Sequence, residues 1–204
     1  MKTYAEFPNL SVHDHPLIAH KLSMMRDRDT PMLLFRLLLK EIAMLMGFEV
    51  TRDLPLATRT IETPVARMQA PVIDERQPSI ISILRAGLGM AEGMHTLIPS
   101  ACEGHIGLYR DHKTKRPVQY YCKLPDKAAR PFILVDPMLA TGYSSAAAID
   151  LVKTHGVADE DIRLMVLVAA PEGVRVLLEQ HPKVAIHAAA LDQKLNENAY
   201  IIPG

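Results

Sequence analysis

The chain has 204 residues, with 23 lysines and arginines against 23 aspartates and glutamates, and two cysteines. That length suits one α/β domain with a sizeable core, or one domain with an appended arm. Zero formal net charge removes any global electrostatic case for nucleic acid or an anionic membrane, leaving only a local patch open. Cys102 and Cys122, with no secretory leader, favour reduced thiols in a cytoplasmic protein over a disulfide-stapled secreted fold.

From the amino end, His13, His15 and His20 fall in HDHPLIAHKL (13–22), without a nearby cysteine or a fixed helical spacing, so a zinc site is not expected. Met24, Met25, Met32, Met44 and Met46 are expected to fill gaps in the core. The apolar stretch over 32–48 is interrupted by Arg36, Lys40 and Glu41 and falls short of a membrane span. It reads as a helix with Thr30 as N-cap, Pro31 at the first helical position and Gly47 as the stop. Because it is apolar over most of its circumference it needs cover on several sides, either from its own subunit or from a homodimer partner. Between this helix and Pro78, threonine, proline and alternating apolar residues predict short strands and turns.

From Ser79 onward, strand and helix patterns alternate: SIISIL (79–84), GLGMAEGMHTLI (87–98), GHIGLY (104–109), FILV (132–135), RLMVLVAA (163–170), VRVLLEQH (174–181) and VAIHAAAL (184–191). Such alternation predicts an α/β fold with a mainly parallel sheet flanked by helices, and ligands then bind beyond the carboxyl ends of the strands. Arg85, Arg110 and Asp136 fall there, after the first, second and third of these strands. Gly87, Gly89 and Gly93 with Asp111 imitate a dinucleotide fingerprint, but the last glycine comes one position late and the pattern alone is weak. Arg85 by itself reads as a surface ion-pair residue. The run RDHKTKRPVQYYCK (110–123) clusters charge at Lys113, Thr114 and Lys115 before alternating Val118 and Tyr120, as expected of an exposed hairpin.

The segment FILVDPMLATGYSS (132–145) is the most telling. It runs from an apolar strand through Asp136 into a small, hydroxyl-bearing loop and then a helix. A helix N-terminus offers unpaired N–H groups and a partial positive charge, and Thr141, Gly142, Ser144 and Ser145 add hydroxyls and room for close approach to a phosphate. The lysine of a nucleoside-triphosphatase loop is missing, as are the signatures of serine hydrolases and zinc proteases. An acid at a strand end suits sugar hydroxyls. Together these point to a phosphorylated ribose.

With HPLIAHKLSMMRDRDT (15–30), ILRAGLGM (83–90), VLVAAPEGV (166–174) and LNENAYIIPG (195–204), this segment resembles the uracil phosphoribosyltransferases of the type I phosphoribosyltransferase family over nearly the whole chain. The DPMLATG run, with Pro137 after the acid, is its specific signal. The resemblance implies a single domain over 1–204, with an N-terminal helical arm (1–78), an α/β core (79–204) and a hairpin flap near 108–123. It implies transfer of ribose 5-phosphate from 5-phospho-α-D-ribose 1-diphosphate (PRPP) to uracil, giving UMP and pyrophosphate. Asp136 is then the catalytic acid that orients the ribose and faces developing positive charge. PRPP is bound by Arg85, Ala86, Gly87, Arg110, Asp136, Pro137, Met138, Leu139, Ala140, Thr141, Gly142, Tyr143 and Ser144. Uracil meets Tyr200, Ile201 and Gly204. Magnesium comes with PRPP rather than on protein ligands, and a homodimer or larger homo-oligomer is implied. Two positions depart from the pattern. The family's Gly-Asp-Ala-Gly-Asp run, expected after IIPG, is not in this sequence, which is read as omission of a tail. Tyr143 stands where the family has a second glycine, and its ring is expected to point outward. A regulatory protein that keeps the fold to sense nucleotides or bind RNA is the alternative.

Overall fold

The structure is a computed structural model that describes residues 1–73, 77–111, 116–126 and 131–204. The chain opens with β1 (Lys2–Tyr4) and β2 (Phe7–Val12), followed by α1 (Pro16–Arg26) and α2 (Met32–Val50). An antiparallel hairpin, β3 (Leu56–Glu62) and β4 (Arg67–Ile73), stands apart from the main sheet. Then come β5 (Ser79–Leu84), α3 (Leu88–Leu97), β6 (Cys102–Arg110), β7 (Pro117–Lys123), β8 (Phe132–Val135) and β9 (Met138–Leu139). The remainder is α4 (Tyr143–Thr154), a 3₁₀ turn (Asp159–Asp161), β10 (Ile162–Ala169), α5 (Pro171–Gln180), β11 (Ala185–Leu191), β12 (Lys194–Leu195) and β13 (Ile201–Ile202).

Among the described residues the central sheet runs β1-β2-β11-β10-β8-β5-β6-β7, with β9 beside β10. Neighbours from β2 to β6 pair in parallel, and the outermost strands β1 and β7 pair antiparallel. The expected mainly parallel sheet is present, and it is wider than the alternation after Ser79 predicts. The N-terminal arm adds β2 to it through pairs such as Leu10↔Ile186, a contribution that the proline in FPNLSV conceals.

Both faces are covered, which is why the central strands are apolar without alternation. On β8, Phe132 and Leu134 join one core with α4, α5, β2 and β11, while Ile133 and Val135 join the other with α1, α2 and α3. Pro16 and Pro171 each open a helix where a missing N–H is harmless. His15 caps α1, its Nδ1 accepting the Leu17 N–H at 3.2 Å.

Three local expectations are corrected. Pro31, not Thr30, occupies the cap position of α2, because the Thr30 hydroxyl turns back to the Met24 carbonyl at 2.5 Å. Gly47 does not end α2, which continues to Val50. A Cβ at Gly47 would sit 2.4 Å from Met94 Sδ, and one at Gly93 would sit 2.5 Å from the Lys40 carbonyl, so both glycines let α2 and α3 cross closely. Gly93 of the dinucleotide look-alike is thereby accounted for by helix packing. Met25 and Met46 are buried as expected, but Met24 and Met32 are exposed.

Candidate active site

The sheet changes direction between β5 and β8. From β5 the chain moves outward to β6, then returns to place β8 on the other flank of β5 and continues through β10 to β11. Strand ends part at such a point and leave a crevice. Arg85, Ala86 and Gly87 follow β5 on one side, and Asp136 follows β8 on the other. The two turns touch: a Cβ on Gly87 would lie 2.2 Å from the Val135 carbonyl, so only glycine fits. The Leu84–Arg85 peptide is cis. Arg85 and Ala86 are exposed, and Gly87 is buried.

Asp136 and the loop after it are held by β10. The Asp136 N–H donates to the Met165 carbonyl at 3.2 Å, the Pro137 carbonyl accepts from Leu167 and Val168 at 3.0 and 3.1 Å, and the Leu139 carbonyl accepts from Ala170 at 2.9 Å. Gly142 then reverses the chain with φ 83°, a conformation that costs other residues about 1–2 kcal/mol. A Cβ there would also come within 2.7 Å of the Gly173 carbonyl on α5. Among the described residues no side chain caps α4 at this end, which leaves its first N–H groups without a side-chain cap next to Thr141 and Ser144, as an anion cradle requires. Tyr143 is the first residue of α4. The positive φ falls one residue earlier, on Gly142, and the tyrosine side chain is half-exposed. Its backbone therefore carries no left-handed strain.

A cavity of about 540 Å³ opens between this rim and the N-terminal helices. Ala86, Asp136, Pro137, Met138 and Gly204 line it, together with Leu22, Met25, Arg26, Phe35 and Leu39 from α1 and α2. Apolar surroundings remove water from the Asp136 carboxyl and push it up to about 7, although the Met138 N–H bonded to it pulls the other way. The residue as a whole keeps partial solvent access. A carboxyl shifted toward neutrality in a cleft marks a candidate functional position.

The C-terminal hairpin β12–β13 lies next to this cavity. Of Tyr200, Ile201 and Gly204, only Gly204 lines the cavity. Tyr200 uses both backbone groups inside its turn, its N–H donating to Asn196 Oδ1 at 2.9 Å and its carbonyl accepting from Asn196 at 2.8 Å. Ile201 is buried against the α1/α2 core. The Ile202–Pro203 peptide is cis. Ala199, with φ 62°, is the non-glycine residue with positive φ among those described.

Arg110 closes β6, but its side chain and residues 112–115 lie outside the described residues, and with them Lys113, Thr114 and Lys115. His13 stacks on His187, with Nε2 and Nδ1 3.1 Å apart. Among the described residues no group of three His, Cys, Asp or Glu side chains is arranged to hold a metal ion. Sequence reasoning missed the cavity walls Leu22, Met25, Phe35 and Leu39, because their apolar pattern reads only as core. It also missed Arg26 and Asp192, joined across 166 positions, and Glu172, whose carboxylate accepts the Leu195 N–H at 3.0 Å.

The sequence profile of the family described as "Uracil phosphoribosyltransferase" matches residues 12–204. A uracil phosphoribosyltransferase of Rhodospirillum centenum is 61% identical over 204 residues, spanning 100% of this chain and 94% of the relative. One from Ralstonia pickettii is 56% identical over 204 residues with the same coverage. Among solved structures, the AQ2163 protein of Aquifex aeolicus superposes with TM-score 0.90 at 31% identity, covering 96% of this chain and 93% of its own. A purine phosphoribosyltransferase of Pyrococcus horikoshii, at 17% identity, shares the fold with TM-score 0.52 over 76% of this chain and 84% of its own.

Proposed function

Because the chain belongs to the uracil phosphoribosyltransferase family, we propose that it transfers ribose 5-phosphate from PRPP to N1 of uracil, releasing pyrophosphate and forming UMP. The observation that carries this reading is full-length identity of 61% to a relative of that name. The acid beside an open helix N-terminus at the sheet's switch point agrees with it. The chemistry needs no covalent nucleophile. It needs the two substrates aligned, water kept out, and charge placed where the ribose becomes cationic and the diphosphate departs.

The residues divide those tasks. Thr141, Gly142, Tyr143 and Ser144 offer backbone N–H groups and hydroxyls to the 5′-phosphate, while Pro137, Met138, Leu139 and Ala140 fix that loop against β10. Asp136 orients the ribose hydroxyls and faces the developing oxocarbenium charge, which favours its ionised form. Arg85 and the close backbone at Ala86 and Gly87 take the diphosphate, joined by Arg110. Gly204 borders the base, with Ile201 packed behind it in the core, and hydrogen bonding to backbone would reject cytosine, whose amino group meets a donor where uracil presents an acceptor. Among the described residues Asp136 is the one carboxylate lining the cavity, which fits a magnesium ion that arrives on PRPP, where it would neutralise the leaving group. The exposed Leu33, Leu37 and Phe48 of α2 are assigned to a second copy of the chain, as an apolar face of this kind requires.

The test is pyrophosphate release with uracil, cytosine and hypoxanthine as acceptors. Uracil alone should support turnover. Equal rates with hypoxanthine, or none with uracil, would reject the assignment.

A further inference from the structure

Arg26, at the end of α1, reaches across the fold to the other end of the chain. Its Nη2 donates to Asp192 Oδ1 at 2.7 Å and its Nη1 to Asp192 Oδ2 at 3.0 Å, while Nη1 also reaches the Gly204 carbonyl at 3.1 Å. The circuit closes because the Gly204 N–H donates to Asp192 Oδ2 at 3.0 Å. Both backbone polar groups of Gly204 are thus held, one by each member of the pair. The Asp192 side chain is 6% exposed and that of Arg26 23%. Arg26 and Gly204 also face the cavity that contains Asp136.

We propose that Arg26 and Asp192 are positioning residues for the acceptor base, clamping the segment 192–204 at the height and tilt at which it borders uracil. This rests on the function proposed above. Geometry assigns the role. Among the described residues β12 and β13 pair only with each other, so the main sheet does not hold the hairpin in register. A two-residue ladder is too short to do so alone. Asp192 follows β11 directly and its N–H donates to the Ala169 carbonyl at 2.8 Å, which makes it the fixed end. The guanidinium is a rigid planar fork, so two bonds to one carboxylate set its orientation as well as its position, and the third bond transfers that orientation to Gly204. A buried ion pair contributes little net stability compared with apolar packing of the same volume, whereas it fixes one arrangement among several. Such a clamp matters most where a planar ligand is read by backbone groups, because small errors in placement weaken every bond at once.

The test uses Arg26→Gln and Asp192→Asn, with Arg163→Gln as the control. Arg163 makes an equally bidentate pair with Asp53, at 2.7 and 2.9 Å, and does not line the cavity. Both clamp variants should raise KM for uracil about tenfold or more while KM for PRPP stays within about twofold. The control should shift neither selectively. Arg26→Lys, which keeps the charge and loses the fork, should fall between wild type and Arg26→Gln, and it decides the matter if the glutamine variant fails to fold. Amide hydrogen exchange of the ligand-free proteins gives a reading independent of turnover: exchange in 192–204 should rise in the clamp variants and stay unchanged across β10. Unchanged uracil KM in a folded variant, equal rises for both substrates, or unaltered exchange in 192–204 would overturn the clamp. Raised exchange in a protein that does not use uracil would uphold the clamp and sink the function reading instead.

Discussion

Burial lifts the Asp136 carboxyl from its ordinary 3.8 to about 7, and this has opposite consequences for activity and for stability. The proposed catalytic role calls for the carboxylate, so kcat/KM should rise with pH through about 7 in the free enzyme and lose that limb in Asp136→Asn. The asparagine keeps the volume and removes the charge, and turnover should fall about 100-fold or more. Near wild-type turnover would remove Asp136 from its role. For stability the sign reverses. The folded state holds the proton more tightly than the unfolded chain, so the stability that Asp136 contributes is complete below about 4 and is lost as pH rises toward about 7. Asp136→Asn should therefore melt higher than wild type at pH 8, with the gap closing as pH falls toward about 4; a gap that widens on acidification would contradict the assigned burial. Arg85→Ala should weaken use of PRPP by roughly 2–4 kcal/mol if its contact with the diphosphate is bidentate and desolvated. Unchanged PRPP kinetics would return Arg85 to an ordinary surface ion-pair residue.

The phosphate loop shows how much of an element depends on one residue. Gly142 has both a left-handed backbone and a carbonyl 2.7 Å from where a Cβ would stand, so Gly142→Ala should displace the start of α4 and weaken PRPP binding by about 2 kcal/mol or more. Calorimetry with PRPP checks it, and wild-type affinity would show that the loop is not the phosphate site. Tyr143→Gly should, by contrast, weaken binding only modestly, because the strained position is already filled by glycine next door. Apart from β9, the elements from β5 to β11 were legible in the sequence, since buried parallel strands such as FILV and long helix patterns carry strong local signals. Gly47 was misread because a glycine at a helix crossing looks locally like a glycine at a helix end, and only α3 distinguishes them. β2 was hidden by its proline, and β9, β12 and β13 are two residues each, too short for periodicity to show. The acid, the glycine and the helix start at 136–145 were readable because they are contiguous. Arg26 and Asp192 were not, because neither residue has a local signature and only the fold brings them together.

At the scale of the molecule, α2 is held by α1 and α3 along one side and leaves Met32 68%, Leu33 83% and Phe48 63% exposed on the other. Sedimentation should give a mass above that of one chain, and Leu33→Glu with Leu37→Glu should lower it toward the monomer; a wild-type monomer at micromolar concentration would reject the assigned interface. The β3–β4 hairpin also exposes aliphatic side chains, Leu56 and Val65 among them. The start of α5 has a wider consequence. Glu172 there holds the Leu195 N–H at the root of the hairpin assigned to the base, and the adjacent Gly173 presses on the loop assigned to the phosphate, where a Cβ would lie 2.4 Å from the Ala140 carbonyl. Neighbouring positions on one helix thus brace both of the sites proposed for the substrates. A tilt of that helix would reach both proposed sites, so binding of one substrate should change the affinity for the other, and by linkage each should alter the other's by the same factor.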